Sequence, residues 1–314
     1  MATCPSFLPE NIKLEKRVIF EEIKMVKDNP SDDIFNYFYE VVFNGHPLSL
    51  PILGSRKTLG FVNSNIIRQY FEKNFNPDGM VISAAGNVKH PVLVEEVKRN
   101  MEKLCTGRPQ YRKEENSIIP EPSYVKKTRS YKGKTEASHL CLGGPGCDRK
   151  SPDKHALSLF TNILGGSISS RLFQKIREEK GLSYTIFAGN TQYTDAGIAF
   201  IYAATSTANT AKVTDLILKE LKLIKSCGFS ADELTIAKEN TKGTIVLGVE
   251  DISSRMFRLG KALLIDKKII SLDGILKKID NIKLNEVNDI VEKYFNPENL
   301  SMIVISKNGN GSIR

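Results

Sequence analysis

The chain has 314 residues, 40% hydrophobic and 26% charged, which is enough apolar matter for two ordinary domains with cores of their own. Its formal charge is +9, yet the densest basic runs, 125–134 and 277–283, lack the aromatic interleaving of a nucleic-acid motif, and no apolar run approaches membrane-spanning length, so neither nucleic acid nor membrane is an expected partner. Five dispersed cysteines without a CxxC pair fit a reducing compartment, with cytoplasmic placement favoured, and no two of the four histidines stand three or four residues apart to chelate a metal from one helix.

Asn11 to Asp28 reads as an amphipathic helix. Ile12, Ile19, Ile23 and Val26 form one apolar stripe, and Glu15, Val18 and Glu22 form a second. Two carboxylates two turns apart beside an apolar face can be half of a metal or acid–base site, although most helical glutamates only solvate a face. The turn at 28–33 leads to an aromatic-rich helix from Ile34 to Phe43. Residues 47–60, with two prolines and two glycines, read as a loop. Asn63–Asn65 caps a helix through Lys73, an apolar strand follows from Met80 to Ala85, and Pro91 to Leu104 is a further helix. The stretch 106–134, with three prolines and little periodicity, reads as a linker.

The second half opens with a strand, His139 to Leu142, and a Gly-Gly-Pro-Gly loop. Asp153 is positioned to cap a helix to Leu164, and a helix from Ser169 or Ser170 stops at Gly181. Ser183–Ala188 and Ile198–Ala204 alternate as hairpin strands. Helices are expected at 211–225, from Ser230, and at about 255–264, 272–279 and 285–294, before a last strand from Ser301 to Ser306.

Two stretches nearly repeat. Glu72–Asp78 (EKNFNPD) matches Glu292–Glu298 (EKYFNPE) at an offset of 220 residues, and Phe7–Ile12 resembles Phe229–Leu234 at an offset of 222. Two ordered matches at nearly one offset point to two copies of one domain, of which the first copy lacks its earlier strands and helices. The expected fold is α+β, with two homologous sheet-plus-helices domains, the first incomplete and truncated at its N-terminal side. Residues 1–106 form the first domain, 107–134 the linker and 135–314 the second domain. Glu22 falls opposite Thr244 in the repeat, so its carboxylate belongs to the first copy alone.

LEKRVIFEEI (14–23), NGHPLSLPILGS (44–55), FNPDGMVISAAGNV (75–88), SSRLFQKIREEKGLSYTIFAG (169–189) and YFNPENLSMIVI (294–305) together resemble the pitrilysin/insulinase family of zinc peptidases, on the processing-peptidase-like bacterial branch. The resemblance implies the LuxS/processing-peptidase-like metallohydrolase fold, a zinc cofactor and metalloendopeptidase activity on peptides or unfolded protein. In that family HxxEH supplies two histidine ligands and a general-base Glu. Glu22 matches the third zinc ligand and Glu15 the carboxylate that supports that ligand, while Arg177 and Tyr184 match the pair that holds the substrate backbone near the scissile carbonyl. A zinc with three protein ligands and a water brings the water's pKa down to about 7, and Arg and Tyr donors can stabilise the oxyanion. No HxxEH occurs in the 314 residues, so the chain alone is expected to be inactive. An alternative is a non-catalytic subunit that lends Arg177 and Tyr184 to an HxxEH-bearing partner in a homo- or heterodimer. His46, His139 and His155 read as structural, and Cys141 and Cys147 as buried thiols.

Overall fold

The computed structural model describes residues 5–75, 79–105 and 121–309, and the expected linker's residues 106–120 and the tail beyond 309 lie outside them. The fold is α+β, with a single five-stranded sheet among the described residues. Two compact units interleave along the chain. The first comprises 1–23, 53–118 and 244–272, and the second 24–52, 119–243 and 273–314. The domain boundaries at 106 and 134 concern ancestry rather than packing and stand as a proposal.

In the second unit the strands are β1 (Thr128–Lys132), β2 (Ala137–Pro145), β3 (Thr185–Gln192), β4 (Gly197–Ser206) and β5 (Ser301–Ser306), in the order β1-β5-β2-β4-β3. β5 lies between β1 and β2, parallel to β1 and antiparallel to β2, and all six of its residues are buried. Helix α2 (Pro30–Val42) lies on β2 and β5. Its Ile34, Phe38, Val41 and Val42 are fully buried and share a core with Cys141, Ile198, Tyr202, Ile303 and Ile305. The alternate strand residues Leu140, Leu142, Ile201, Ala203 and Val304 are equally buried and, by the period of a strand, face the other side. There α6 (Lys154–Gly165), α7 (Thr210–Cys227) and α12 (Ile290–Tyr294), preceded by α11 (Leu284–Asn288), contact the sheet.

Three sequence expectations change in this unit. Gly143–Pro145 is strand rather than loop, because a Cβ on Gly143 would collide with the Ala199 carbonyl and the Phe38 ring. Thr128–Lys132, expected as linker, is an edge strand; its polar side chains hide it from an apolar count. Asp153 does not cap α6 with its side chain, since its carboxylate instead takes the Lys293 ammonium (3.0 Å) and the Tyr294 hydroxyl (2.9 Å).

The first unit holds most of α1 (Pro9–Asp28), α3 (Arg56–Phe61), α4 (Ser64–Asn74), α5 (His90–Cys105) and α9 (Ile252–Lys261). Helix α3 begins within the expected 47–60 loop, where Ser55 and Thr58 close a capping box at its start. The expected strand Met80–Ala85 pairs with no strand among the described residues. Its tie is a hydrogen bond from Ser83 Oγ to the Met256 carbonyl of α9 (2.8 Å). A segment becomes a strand only when a neighbour accepts its ladder bonds, and none does so among the described residues.

The internal repeat extends to whole elements. α1 and α8 (Ala231–Glu250) stand 222 residues apart at both ends, Pro9 to Ala231 and Asp28 to Glu250. At the same offset α2 begins at Pro30 and α9 at Ile252, each led by a side-chain cap, Asn29 and Asp251. α4 and the α11–α12 pair stand 220 apart at both ends, Ser64 to Leu284 and Asn74 to Tyr294. α2 packs within the second unit and α9 within the first, so each copy's helix is counted with the other copy's elements.

The Phe38→Ala variant is expected to cost about 3–5 kcal/mol of unfolding free energy, because it empties a fully buried site beneath α2. Phe257→Ala on α9, where the ring is 69% exposed, is expected to cost less than ~1 kcal/mol. Urea unfolding followed by far-ultraviolet circular dichroism checks both.

Candidate functional site

Glu15 and Glu22 stand two turns apart on α1, and both are exposed. The apolar stripe of Ile12, Ile19, Ile23 and Val26 is half-buried, and no α1 residue is fully buried. Glu15 borders an open apolar groove of about 620 Å³ whose walls include Phe7, Ile12, Ile19, Leu59 and Val62. Arg177 and Tyr184 belong to the second unit, so the structure groups the four expected site residues as two pairs, one in each unit.

Arg177 lies on a π-helical turn, Phe173–Glu178, where the sequence pattern predicts an ordinary helix. Such turns recur at functional sites because the extra residue re-aims the side chains. The Arg177 guanidinium stacks over the Phe173 ring (4.6 Å to the centroid) and reaches Glu178 only at 4.0 Å. Gly181, with φ of +59°, reverses the chain, and its amide donates to the Arg177 carbonyl (3.0 Å). The Leu182 amide donates to the Ile176 carbonyl (3.0 Å). Thr205 Oγ1 donates to the Leu182 carbonyl, and Ser183 Oγ, buried, donates to the carbonyls of Ala204 (2.8 Å) and Thr185 (2.7 Å). The Tyr184 amide donates to the Ala204 carbonyl (2.9 Å), so its ring leaves the sheet at the start of β3 and is 69% exposed. The link between Arg177 and Tyr184 is thus closed on the π turn at Gly181 and Leu182 and tied to β4 at Leu182–Tyr184.

Behind the π turn lies a charged cluster that the sequence reading does not single out. Arg171 binds Glu233 with two nitrogens (2.5 and 2.8 Å), Glu220 at 3.1 Å and the Gly228 carbonyl at 3.3 Å, and its guanidinium lies 4.9 Å over Phe229. Lys175 takes the other Glu220 oxygen at 2.6 Å. Planar arginine suits this two-pronged recognition, which joins the helix carrying Arg177 to α7 and α8. Burial alone would raise the Glu233 carboxyl, but the Arg171 and Ser230 hydrogen bonds and the Arg171 charge outweigh it and hold it below its ordinary value. The Glu233 hydrogen bond leads the causes that raise Arg171. The sequence signal available was Glu220 within the apolar run of the expected 211–225 helix, facing Arg171 and Lys175 one turn apart.

His46 and His139 have local hydrogen-bond partners. His46 Nδ1 accepts from the Leu48 amide (3.1 Å), and His139 Nδ1 and the Tyr202 hydroxyl are 2.8 Å apart. Burial raises the thiols of both Cys141 and Cys147. Among the described residues no group of three or more His, Cys, Asp and Glu side chains could hold a metal ion. Glu22 is therefore a single carboxylate donor, and the residues present do not fit a catalytic zinc, which takes three protein ligands.

The model of the family described as "Peptidase M16 inactive domain" matches residues 62–241. The chain is 34% identical over 305 residues to an "Uncharacterized zinc protease YmxG" of Bacillus subtilis, spanning 97% of this chain and 73% of that protein. It is 31% identical over 290 residues to an "Uncharacterized zinc protease" of Mycobacterium leprae, spanning 91% of this chain but 64% of the relative. Among solved structures it is similar to a peptidase M16 inactive domain from Pseudomonas fluorescens (TM-score 0.81, 18% identity, 97% of this chain and 72% of that one). It is also similar in fold to a protease from Helicobacter pylori (TM-score 0.79, 18% identity, 97% and 74%). The chain belongs to the peptidase M16 family, a family whose curated relatives carry the name zinc protease.

The Glu233 shift has a pH consequence. A carboxyl whose folded pKa is depressed contributes stability that is present above its unfolded value and lost as pH falls through the folded one, so the contribution declines once pH drops below about 4.3. Arg171→Met is expected to lower stability by roughly 2–3 kcal/mol at neutral pH and to flatten that acid-side loss. Urea midpoints measured between neutral and acid pH check both parts.

Proposed function

We propose that this chain is the peptide-holding portion of an M16-type zinc protease. Arg177 and Tyr184 bind the substrate backbone near the scissile carbonyl, and Glu22, with Glu15 as helper, is one ligand of a metal whose other ligands lie outside these 314 residues. The observation that carries the reading is the exposed Arg177–Tyr184 pair on a link whose residues Leu182–Tyr184 are bonded to β4. Arginine donates from a rigid fork and tyrosine from a hydroxyl on a rigid ring, so both can meet peptide carbonyls with little ordering cost. Substrate class follows from the same groups, since donors aimed at main-chain carbonyls select extended peptide or unfolded protein rather than a side-chain sequence.

Metal chemistry, in this reading, is not performed by the chain alone. The two histidines and the base implied by HxxEH have no match in its sequence, and a lone carboxylate leaves water too weakly activated for peptide hydrolysis. What the chain's own residues do is bind and orient. Arg177, backed by the Arg171 cluster, fixes one carbonyl, and the Tyr184 hydroxyl donates to the oxygen on which negative charge develops.

Fluorescence anisotropy with a labelled unstructured peptide tests the reading. The full chain is expected to bind, Arg177→Ala to weaken binding roughly tenfold, and Tyr184→Phe to weaken it several-fold, as the loss of charged and neutral hydrogen bonds implies. Binding unchanged in both variants would remove the proposal. Zinc titration of the isolated chain is expected to show no tight stoichiometric site.

A further inference from the structure

Two arginines of the second unit lie over aromatic rings, and their donors meet opposite fates. Arg171 sits 4.9 Å over the Phe229 ring, and its nitrogens are committed to Glu233, Glu220 and the Gly228 carbonyl. Arg177 sits 4.6 Å over the Phe173 ring. Among the described residues its guanidinium makes no hydrogen bond, and the Glu178 carboxylate comes no nearer than 4.0 Å. The first arrangement joins helices. The second holds a cation and leaves its N–H groups to water or to a ligand.

The π turn builds in that difference. Phe173 and Arg177 stand four residues apart on it and share one of its faces. Their chain neighbours Leu172 and Ile176 are fully buried, which roots the turn in the core. Near its start Gln174 Nε2 donates to the Ile168 carbonyl (2.6 Å) and the Gln174 amide to the Ser170 carbonyl (3.0 Å). Past its end the Gly181 amide closes on the Arg177 carbonyl (3.0 Å). The half-buried Phe173 ring therefore offers a fixed surface to the exposed arginine. An arginine free in water samples many rotamers, and ordering it takes part of any binding free energy. A carboxylate could also order it, but would occupy the in-plane N–H groups that a peptide carbonyl needs. An aromatic face attracts the cation from above and occupies none of them.

We infer that Phe173 is a positioning residue of the peptide site, a shelf that sets the Arg177 guanidinium before a peptide arrives and keeps its in-plane donors open. Phe173 acts through Arg177 and is not itself a contact of the peptide. This role rests on the peptide-holding reading of Arg177 and Tyr184, and it explains how Arg177 is ordered without a partner carboxylate. At an exposed site an attraction of this kind corresponds to a roughly three- to fivefold change in a binding constant.

Two measurements on the full chain separate this role from the reading it rests on. The first uses no peptide. Nuclear magnetic relaxation of the Arg177 Nε–H group is expected to show a restricted side chain in the parent and in Phe173→Tyr. In Phe173→Leu, which keeps apolar bulk but lacks a π face, the group is expected to be mobile. Equal mobility in the parent and Phe173→Leu would overturn the inference. The second is fluorescence anisotropy with the labelled unstructured peptide. Phe173→Leu is expected to weaken binding roughly three- to fivefold and Phe173→Tyr to change it by less than about twofold. Added to Arg177→Ala, Phe173→Leu is expected to weaken binding no further. An undiminished loss in the Arg177→Ala background would mean that the ring touches the peptide itself, and would overturn the positioning role. Absence of binding by the parent would remove the peptide-holding reading, while the relaxation result would still decide whether Phe173 holds Arg177.

Discussion

A buried strand must place every backbone donor and acceptor along both of its edges, and this constraint decides what each half of the molecule can be. β5 meets it, with β1 on one side, β2 on the other, α2 on one face and the α6–α7–α12 layer on the other. Its six residues are buried without cost to the backbone. The matching segment at Met80–Ala85 pairs with no strand among the described residues.

The candidate site depends on the completed half. The link from Arg177 to Tyr184 is held because Ala204 and Thr205 of β4 bind Leu182, Ser183 and Tyr184, and β4 is itself fixed between β2 and β3. Arg171 adds a second anchorage through Glu220 and Glu233, reaching helices far away in sequence. An ion cluster of this kind fixes geometry more surely than it adds net stability, which suits a turn that must present two side chains at set positions. The carboxylate pair on α1 is held more loosely, on a helix with no fully buried residue.

Much of this was legible in the sequence. Caps and apolar stripes located α1, α2, α4, α5 and α7 to within a few residues, and the short repeats at 72–78 and 292–298 marked elements that match in length and order. What escaped depended on partners remote in sequence. Met80–Ala85 has the composition of a strand, but strand pairing is a property of two segments. Gly143–Pro145 has the composition of a turn, yet its glycines are needed where β2 passes under Phe38 and beside Ala199. β1 is too polar to be seen without β5 next to it. Of the site, Glu15, Glu22, Arg177 and Tyr184 could be named from motifs, whereas Arg171, Lys175, Glu220 and Glu233 gained meaning only when three helices came together.

The central claim is that the two copies of one domain are present here in unequal states of completion. Hydrogen exchange of the isolated chain, read amide by amide, tests it most directly by comparing residues 81–85 with residues 301–306. The account predicts protection at 301–306 greater by a factor on the order of a thousand or more, since one segment opens only with its whole unit while the other pairs with no strand among the described residues. Equal protection of the two segments would contradict it.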